Sequence, residues 1–220
     1  MKSAKNIFPG VWKKGKQLFT KSLIPNQRAF TKSIVKEGKI EYREWDPNKS
    51  KAAAGIMKGV KNFKIKENDK ILYLGIASGS TASFFSDIIK NNGVIYGVEI
   101  SERCVRDLNV VAEKRGNIVP ILADARKPDD YSWVESVNVV FQDVATNDQS
   151  EILIRNCQKF MKKDGTAMLA IKSRSIDVTK NPREIYKQEV AKLEKVFKIL
   201  DMVELDPFEK DHLFLILKMK

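Results

Sequence analysis

Leu72-Tyr73-Leu74-Gly75-Ile76-Ala77-Ser78-Gly79-Ser80-Thr81 is the stretch on which the fold turns. A buried-type strand, Lys70–Gly75, passes into a glycine-bearing turn and then a helix over about 80–90. Downstream the same alternation repeats. Val94–Ile100 reads as a second strand, followed by a helix from about Ser101 to Arg115. Ile118–Ala123 is the third strand and Val137–Val144 the fourth. A helix begins near Asp148, where Asp148 and Glu151 have capping-box spacing, and Thr166–Ile171 is the fifth strand. Asn181-Pro182 opens a long helix in which Tyr186, Val190, Leu193, Phe197 and Leu200 recur at helical spacing. Met202–Leu205 and Leu213–Lys218 close the chain as strands. Apolar strands alternating with amphipathic helices imply a parallel sheet covered on both faces. The last two strands have only a short link containing Pro207, so they must pair antiparallel.

Upstream the pattern is different. Residues 1–50 carry short apolar pieces (Ile7-Phe8, Val11-Trp12, Leu18-Phe19, Leu23-Ile24) between turn signals at Pro9-Gly10, Gly15 and Pro25-Asn26. That reads as small β-hairpins. Asp46-Pro47 punctuates, and residues 50–60 look helical with Ser50 as N-cap. The expectation is a small basic β-rich domain over 1–50 and an α/β domain over 51–220. The 220-residue chain has net charge +12, and residues 1–50 hold twelve Lys or Arg against four acids, a net +8. Such a concentration suits a polyanion or an acidic protein, and equally a solvated surface. No apolar run reaches the ~20 residues of a membrane span, and Lys13 and Lys14 break the N-terminal apolar stretch, against a secretory signal. Cys104 and Cys157 lack metal-type spacing, fit a reducing cytosol, and are expected to be small buried hydrophobes in helices.

The ligand site belongs at the carboxyl ends of the strands. Gly75, Ala77, Ser78, Gly79, Ser80 and Thr81 form the first turn, with G-x-x-x-G spacing rather than the dinucleotide G-x-G-x-x-G. Glu99 ends the second strand, and its carboxylate suits the two hydroxyls of a ribose, as an ionised acid only accepts. Asp124-Ala125 follows the third strand, placed to read an adenine amino group. Alone, each has an ordinary reading, as a strand-end acid or a turn aspartate. Nicotinamide and S-adenosylmethionine enzymes share these features. A terminal antiparallel strand after six sheet elements favours the second. The fold class expected is α/β: a seven-stranded, Rossmann-like, S-adenosylmethionine-dependent methyltransferase sheet with an antiparallel last strand, plus the small N-terminal β domain.

The fourth strand ends Phe141-Gln142-Asp143-Val144-Ala145 and the fifth Ile171-Lys172-Ser173. With Lys51 and the single histidine, His212, they supply the set Lys51, Asp143, Lys172, His212. Here the chain resembles the fibrillarin family. The matching stretches are Tyr42-Arg43-Glu44-Trp45-Asp46-Pro47, Ser50-Lys51-Ala52-Ala53-Ala54, Leu72-Tyr73-Leu74-Gly75, Ala77-Ser78-Gly79 and Val98-Glu99. Asp124-Ala125-Arg126, Asp143-Val144-Ala145, Asp148-Gln149, Ile171-Lys172 and Glu209-Lys210-Asp211-His212 continue it, in register from about residue 40 to the C-terminus. Thr146-Asn147 stands where the family commonly has Gln-Pro, Gln142 where a small residue is usual, and Ile100 where an aromatic often flanks the adenine.

The resemblance implies 2′-O-methylation of RNA ribose, with Lys51, Asp143, Lys172 and His212 as the catalytic set. It implies that Gly75, Ala77, Ser78, Gly79, Ser80, Thr81, Glu99, Ile100, Asp124, Ala125, Asp143, Val144, Ala145, Thr146 and Gln149 hold S-adenosylmethionine. Lys172 is the expected proton acceptor, Asp143 its orienting partner and His212 a substrate or network group. A lysine serves as a base only where burial or a nearby cation destabilises its charged form. The lack of a Gly/Arg-rich arm implies the archaeal form, in the cytoplasm. The implied partners are a box C/D guide RNA, target rRNA, a Nop-domain scaffold protein and a kink-turn-binding ribosomal-type protein, with tRNA left open as a further target. Two other readings are a catalytically dead RNA-binding subunit, opposed by the complete four-residue set, and a nicotinamide dehydrogenase, opposed by Ala77 and the terminal strand order.

Overall fold

The computed structural model describes residue 1 and residues 3–220. Five short strands come first: β1 (Lys5–Phe8), β2 (Val11–Lys14), β3 (Gln17–Lys21), β4 (Ile34–Glu37) and β5 (Ile40–Trp45). They form an antiparallel sheet in the order β1-β2-β3-β5-β4. The expected turns at Pro9-Gly10 and Gly15 connect its first three strands, and Gly10 and Gly15 both sit at positive φ. Leu23-Ile24 lies outside any strand, in the connection from β3 to β4.

Helix α1 (Lys51–Met57) follows, and Ser50 caps it, its hydroxyl accepting from the Ala53 N–H at 3.4 Å. The alternation then runs β6 (Lys70–Leu74), α2 (Ser80–Ile89), β7 (Val94–Glu99), α3 (Glu102–Arg115), β8 (Ile118–Leu122), β9 (Val137–Gln142), α4 (Gln149–Phe160) and β10 (Met161–Lys172). After a short helix α5 (Ser173–Ile176) come α6 (Pro182–Leu193), β11 (Phe197–Glu204) and β12 (His212–Met219). The sheet order is β11-β12-β10-β9-β6-β7-β8. Strand β12 is inserted between β10 and β11 and runs antiparallel to both, while β8, β7, β6, β9 and β10 are mutually parallel. The order reverses at β6, and the crevice at the carboxyl ends of β6 and β9 is where a ligand of such a sheet lies.

Two local expectations fail. The helix opening at Asn181-Pro182 stops at Leu193, and Phe197 and Leu200 belong to β11. Their spacing matches a helix, but pairing with β12 overrides it. An irregularity between Ile199 and Asp201 then shifts the alternation, so Phe197 and Ile199 pack on one face of the sheet and Leu200 and Val203 on the other. The Asp148–Glu151 capping box does not form. Asp148 occupies the N-cap without a side-chain cap bond; its carboxylate holds Arg126 at 3.0 Å, and Glu151 holds Lys192 at 2.9 Å.

The N-terminal sheet and the large sheet share one core. Trp45 is fully buried and stacks on Phe84 of α2, with Phe85 edge-on. Beside it lies a buried ionic cluster. The Asp87 carboxylate accepts from Arg43 of β5 at 2.7 Å, from Arg115 of α3 at 2.9 Å, from the Thr20 hydroxyl at 2.7 Å and from the Leu23 N–H at 3.0 Å. Burial disfavours the charge of Arg43, and Asp87 opposes that cost. Asp87→Asn leaves two buried guanidinium groups without a counter-charge, an expected loss of about 3–5 kcal/mol read by denaturant unfolding. A variant as stable as the parent would show that the arginines relax to solvent.

Candidate active site

The first turn is built for close approach. Gly75 has φ +74°, and a Cβ there would lie 2.6 Å from the Asp143 carbonyl oxygen, so the ends of β6 and β9 touch through it. Ala77, at φ +51°, is in the left-handed region that costs an ordinary residue about 1 kcal/mol. Its N–H points at Glu99 Oε2, 2.9 Å away, while Glu99 Oε1 accepts from the Ser101 N–H at 2.9 Å. Each carboxylate oxygen keeps a lone pair for a further donor. Two backbone amides thus fix the acid at the mouth of a cleft.

That cleft is lined by Gly75, Val98, Glu99, Ile100, Asp124, Ala125, Val144 and Thr146, together with Arg126 and Ile152. Asp124 accepts from the Arg126 N–H at 2.9 Å, so it is both turn residue and cleft wall. Ile100 is 64% exposed at the rim, an apolar surface free to cover a ring. Val98, Ala123, Arg126 and Ile152 were not singled out as binding residues from sequence, though Val98 and Arg126 carried a signal in the Val98-Glu99 and Asp124-Ala125-Arg126 stretches. Ser78 and Gly79 in the first turn, Ser80 at the start of α2, and Asp143 and Ala145 after β9 do not themselves line the cleft, nor does Ala77.

Two expected binding residues have their side chains committed to protein. The Thr81 hydroxyl donates to Ser50 Oγ at 3.0 Å and interacts with the buried Tyr73 phenol, so it ties the first turn to the start of α1. Gln149 is fully buried. Its Nε2 donates to the carbonyls of Thr146 (2.6 Å) and Lys172 (3.1 Å), and its Oε1 accepts from the Lys172 N–H (2.9 Å). Gln142 donates in turn to the Gln149 carbonyl at 2.6 Å. This amide chain clamps the end of β10 against the β9–α4 loop and positions Lys172.

The four candidate catalytic residues fall into two pairs, Lys51 with Asp143 and Lys172 with His212. Lys51 Nζ lies 3.1 Å from Asp143 Oδ2 and 4.0 Å from Glu209 Oε1. Lys172 and His212 are register partners across β10 and β12. Lys172 makes no ion pair among the described residues. His212 is 8% exposed; its Nδ1 lies 2.6 Å from the Lys210 carbonyl and so carries the hydrogen. Nε2 is then an acceptor, buried and without a partner. Burial, and the Lys51 charge secondarily, hold the imidazole below its ordinary value of 6.5, with Lys210, Glu209 and Asp143 opposing. Glu209, beside His212 in the Glu209-Lys210-Asp211-His212 run, is the one member of this cluster missed by sequence reasoning.

The inserted antiparallel strand and the reversal at β6 define the seven-stranded methyltransferase class of fold. A solved putative rRNA methylase from Clostridium thermocellum, at 12% identity, shares it with TM-score 0.58 over 77% of this chain and 94% of that one. Within that class the assignment is specific: the fibrillarin family model matches residues 1–220, and the chain belongs to the fibrillarin family. The fibrillarin-like rRNA/tRNA 2′-O-methyltransferase of Saccharolobus solfataricus is 49% identical over 206 residues, 93% of this chain and 89% of the relative. The Methanococcus jannaschii fibrillarin pre-rRNA processing protein superposes with TM-score 0.94 at 45% identity, covering 99% of this chain and 97% of that one. A fibrillarin of Aeropyrum pernix with natively bound S-adenosyl-L-methionine superposes at TM-score 0.88 and 44% identity, over 98% and 97%. The fibrillarin of a fibrillarin/Nop5p complex does so at 0.89 and 38%, over 98% and 100%.

The histidine gives a direct check. Its resonances should titrate below pH 6.5, and Lys51→Gln should move the midpoint up by removing a cation. Because the folded-state value is depressed, the unfolded chain takes up the proton first, and stability is lost as pH falls below 6.5 but not above it. An NMR midpoint at or above 6.5 would contradict the buried neutral ring.

Proposed function

We propose that this chain transfers a methyl group from S-adenosylmethionine to the ribose 2′-hydroxyl of rRNA, and of tRNA, at sites chosen by a box C/D guide RNA. In this reading it is the catalytic subunit of a ribonucleoprotein in the archaeal cytoplasm. The chain is an S-adenosylmethionine-dependent methyltransferase of the fibrillarin family, as the names of its relatives and the cofactor-bound neighbour support. The observation that supports the finer reading is the Lys51–Asp143 pair, whose Asp143 directly precedes the cleft residue Val144, with His212 in the field of both and opposite Lys172 in the sheet.

The residues present fit the cofactor. Gly75 lines the cleft where the ends of β6 and β9 meet, Glu99 offers two acceptor oxygens to ribose hydroxyls, and Asp124 and Ile100 stand in the wall where an adenine would lie. When bound, the cofactor supplies a methyl already activated as a sulfonium. The protein's tasks are to align the acceptor oxygen and to receive its proton, and alignment supplies much of the rate. Lys51 is engaged by two carboxylates and acts as a fixed charge orienting Asp143. Lys172, clamped through its backbone by Gln149 and making no ion pair among the described residues, is the proton acceptor in this proposal. Neutral His212 presents Nε2 as a further acceptor.

The expected partners are a Nop-domain scaffold, supported by the fibrillarin/Nop5p complex, the guide and target RNAs, and a kink-turn-binding ribosomal-type protein. Among the described residues no helix is long and apolar enough to cross a membrane, and no cluster suited to a metal ion occurs.

Glu99→Ala should weaken cofactor binding by about 1.5–3 kcal/mol in calorimetry, the worth of hydrogen bonds to a charged group. Lys172→Ala should abolish most methyl transfer while leaving that binding nearly intact, and Asp143→Ala should abolish transfer with some loss of binding. The double variant should be little worse than either single, since the groups act as a unit; multiplied losses would separate their roles.

A second measurement concerns specificity. The isolated chain should bind RNA weakly with steep salt dependence and leave naked RNA essentially unmethylated. Addition of the scaffold, the kink-turn binder and a box C/D guide should switch on methylation at one nucleotide. Efficient site-specific methylation by the isolated chain would overturn the borrowed-specificity reading.

A further inference from the structure

The hairpin joining β2 to β3 turns through Gly15-Lys16, and its end is rich in lysine. Lys13 and Lys14 close β2, Lys16 sits in the turn, and Lys5 of β1 stands directly opposite Lys13. Lys5, Lys14 and Lys16 are exposed and Lys13 is half-buried. The cations of residues 1–50 that form ion pairs are the N-terminus, Lys32, Lys36 and Arg43; among the described residues the hairpin lysines and Lys5 form none. Residues 1–36 hold nine Lys or Arg and no acid, so no neighbour in sequence neutralises them. Like charges directly opposite oppose the pairing of their strands, a cost that a bound anion would relieve. The acids at the adjoining end of β5 are already committed. Glu44 accepts from Gln17 at 3.0 Å and from Ser33 at 2.6 Å, and Asp46 holds Lys32 at 2.6 Å and Asn48 at 3.0 Å.

This hairpin points to the active-site end of the molecule. Helix α2 runs away from the glycine turn, and the small sheet can be followed along it. Near the far end of α2, a Cβ on Gly10 would lie 3.0 Å from Ile88, and Thr20, the register partner of Val11, bonds Asp87 at 2.7 Å. Midway, Arg43 meets the Ser83 carbonyl at 3.3 Å and Trp45 stacks on Phe84. At the near end Thr81 bonds Ser50 at 3.0 Å. Strand β2 therefore climbs from Val11 towards the cofactor turn. Lys13 pairs with Leu18 and Leu18 with Trp45, so Lys14 and Lys16 stand a step beyond Trp45. There the chain itself turns at Asp46-Pro47 into α1 and Lys51, and Lys49, exposed and without an ion pair among the described residues, lies on that path.

Unneutralised ammonium groups suit a polyanion or an acidic protein. The centre of a protein interface is depleted in lysine and anchored by apolar and aromatic side chains. Among the described residues, every large apolar side chain left well exposed, from Ile100 to Met202, lies outside residues 1–50. The chemistry thus favours RNA, whose phosphates a lysine neutralises as a point charge. We propose that Lys13, Lys14, Lys16 and Lys49 hold the phosphate backbone of the guide-paired RNA beside the target nucleotide. This rests on the RNA methyltransferase reading. Guide pairing selects the nucleotide, and the lysines hold the backbone at the active-site end without reading sequence.

The test is acceptor-RNA binding by the assembled ribonucleoprotein over a range of salt concentrations, with cofactor affinity, scaffold binding and single-turnover methylation measured alongside. Lys14→Gln/Lys16→Gln removes two charges at the hairpin. Arg28→Gln/Lys39→Gln removes two at the opposite end of the sheet, where Arg28 lies near Glu41 and Lys39 sits in the β4–β5 turn. The hairpin pair should weaken acceptor binding about tenfold at low salt and reduce the slope of log affinity against log salt by about two, one per phosphate contact. Cofactor affinity, scaffold binding and the rate at saturating RNA should stay at the parent values, and the far-end pair should keep the parent slope. Equal slopes in all three proteins, or equal losses from both pairs, overturn the surface. So does a hairpin pair that weakens scaffold binding while acceptor binding persists, since the lysines then serve a protein. In each of these cases the parent still methylates the guide-selected nucleotide and the enzymatic reading stands. No transfer by the parent to any guide-paired RNA overturns both.

Discussion

The Asp87 carboxylate is the constraint on which the rest depends. It sits fully buried on α2 and is shared by Arg43 of the N-terminal sheet and Arg115 of α3. A buried ion cluster adds little stability over well-packed apolar groups, but it strongly penalises any arrangement that separates its members. Here the members come from three elements that hydrophobic contact alone would allow to slide. Arg43 also donates to the Ser83 carbonyl and Oγ, and its guanidinium lies over the Phe84 ring at 4.5 Å. The N-terminal sheet is thereby registered against α2, the helix that begins at the glycine turn.

That registration reaches the chemistry by a short path. Strand β5 runs from Arg43 through Trp45 into Asp46-Pro47 and the Ser50 cap of α1, whose first residue is Lys51. Asp46 is itself buried and paired with Lys32 at 2.6 Å, which fixes the turn. The Ser50 hydroxyl receives a bond from Thr81 on α2, so α1 and α2 start from a common polar contact. Lys51 is therefore placed by the small sheet on one side and by the cofactor turn on the other. The amine paired with Asp143 stands on α1, between the small sheet and the alternating α/β unit.

The large sheet was legible in the sequence because its signals are local. Continuous apolar runs, the Asn181-Pro182 start and the Ser50 cap each act within a few residues, and the structure places them as expected. The features that were not legible are those decided at a distance. Phe197 and Leu200 carry helical spacing but pair with β12, and Asp148 has a capping partner in sequence but a stronger one in Arg126. The site follows the same division. Glu99, Asp143 and Lys172 stand at strand ends and could be read from the alternation, whereas the meeting of Lys51 with Asp143, 92 positions apart, came only through family resemblance. Glu209 and the Gln142–Gln149–Lys172 clamp required the three-dimensional arrangement.

The clamp also bears on the unusual Gln142. A small residue there would leave the Gln149 carbonyl without that donor, and Gln149 is the residue that bonds both the N–H and the C=O of Lys172. A buried glutamine at the end of β9 therefore fixes, by a hydrogen-bonded side chain inside the core, the loop that carries Thr146-Asn147. Through Gln149 the end of β10 is held where Lys172 stands opposite His212.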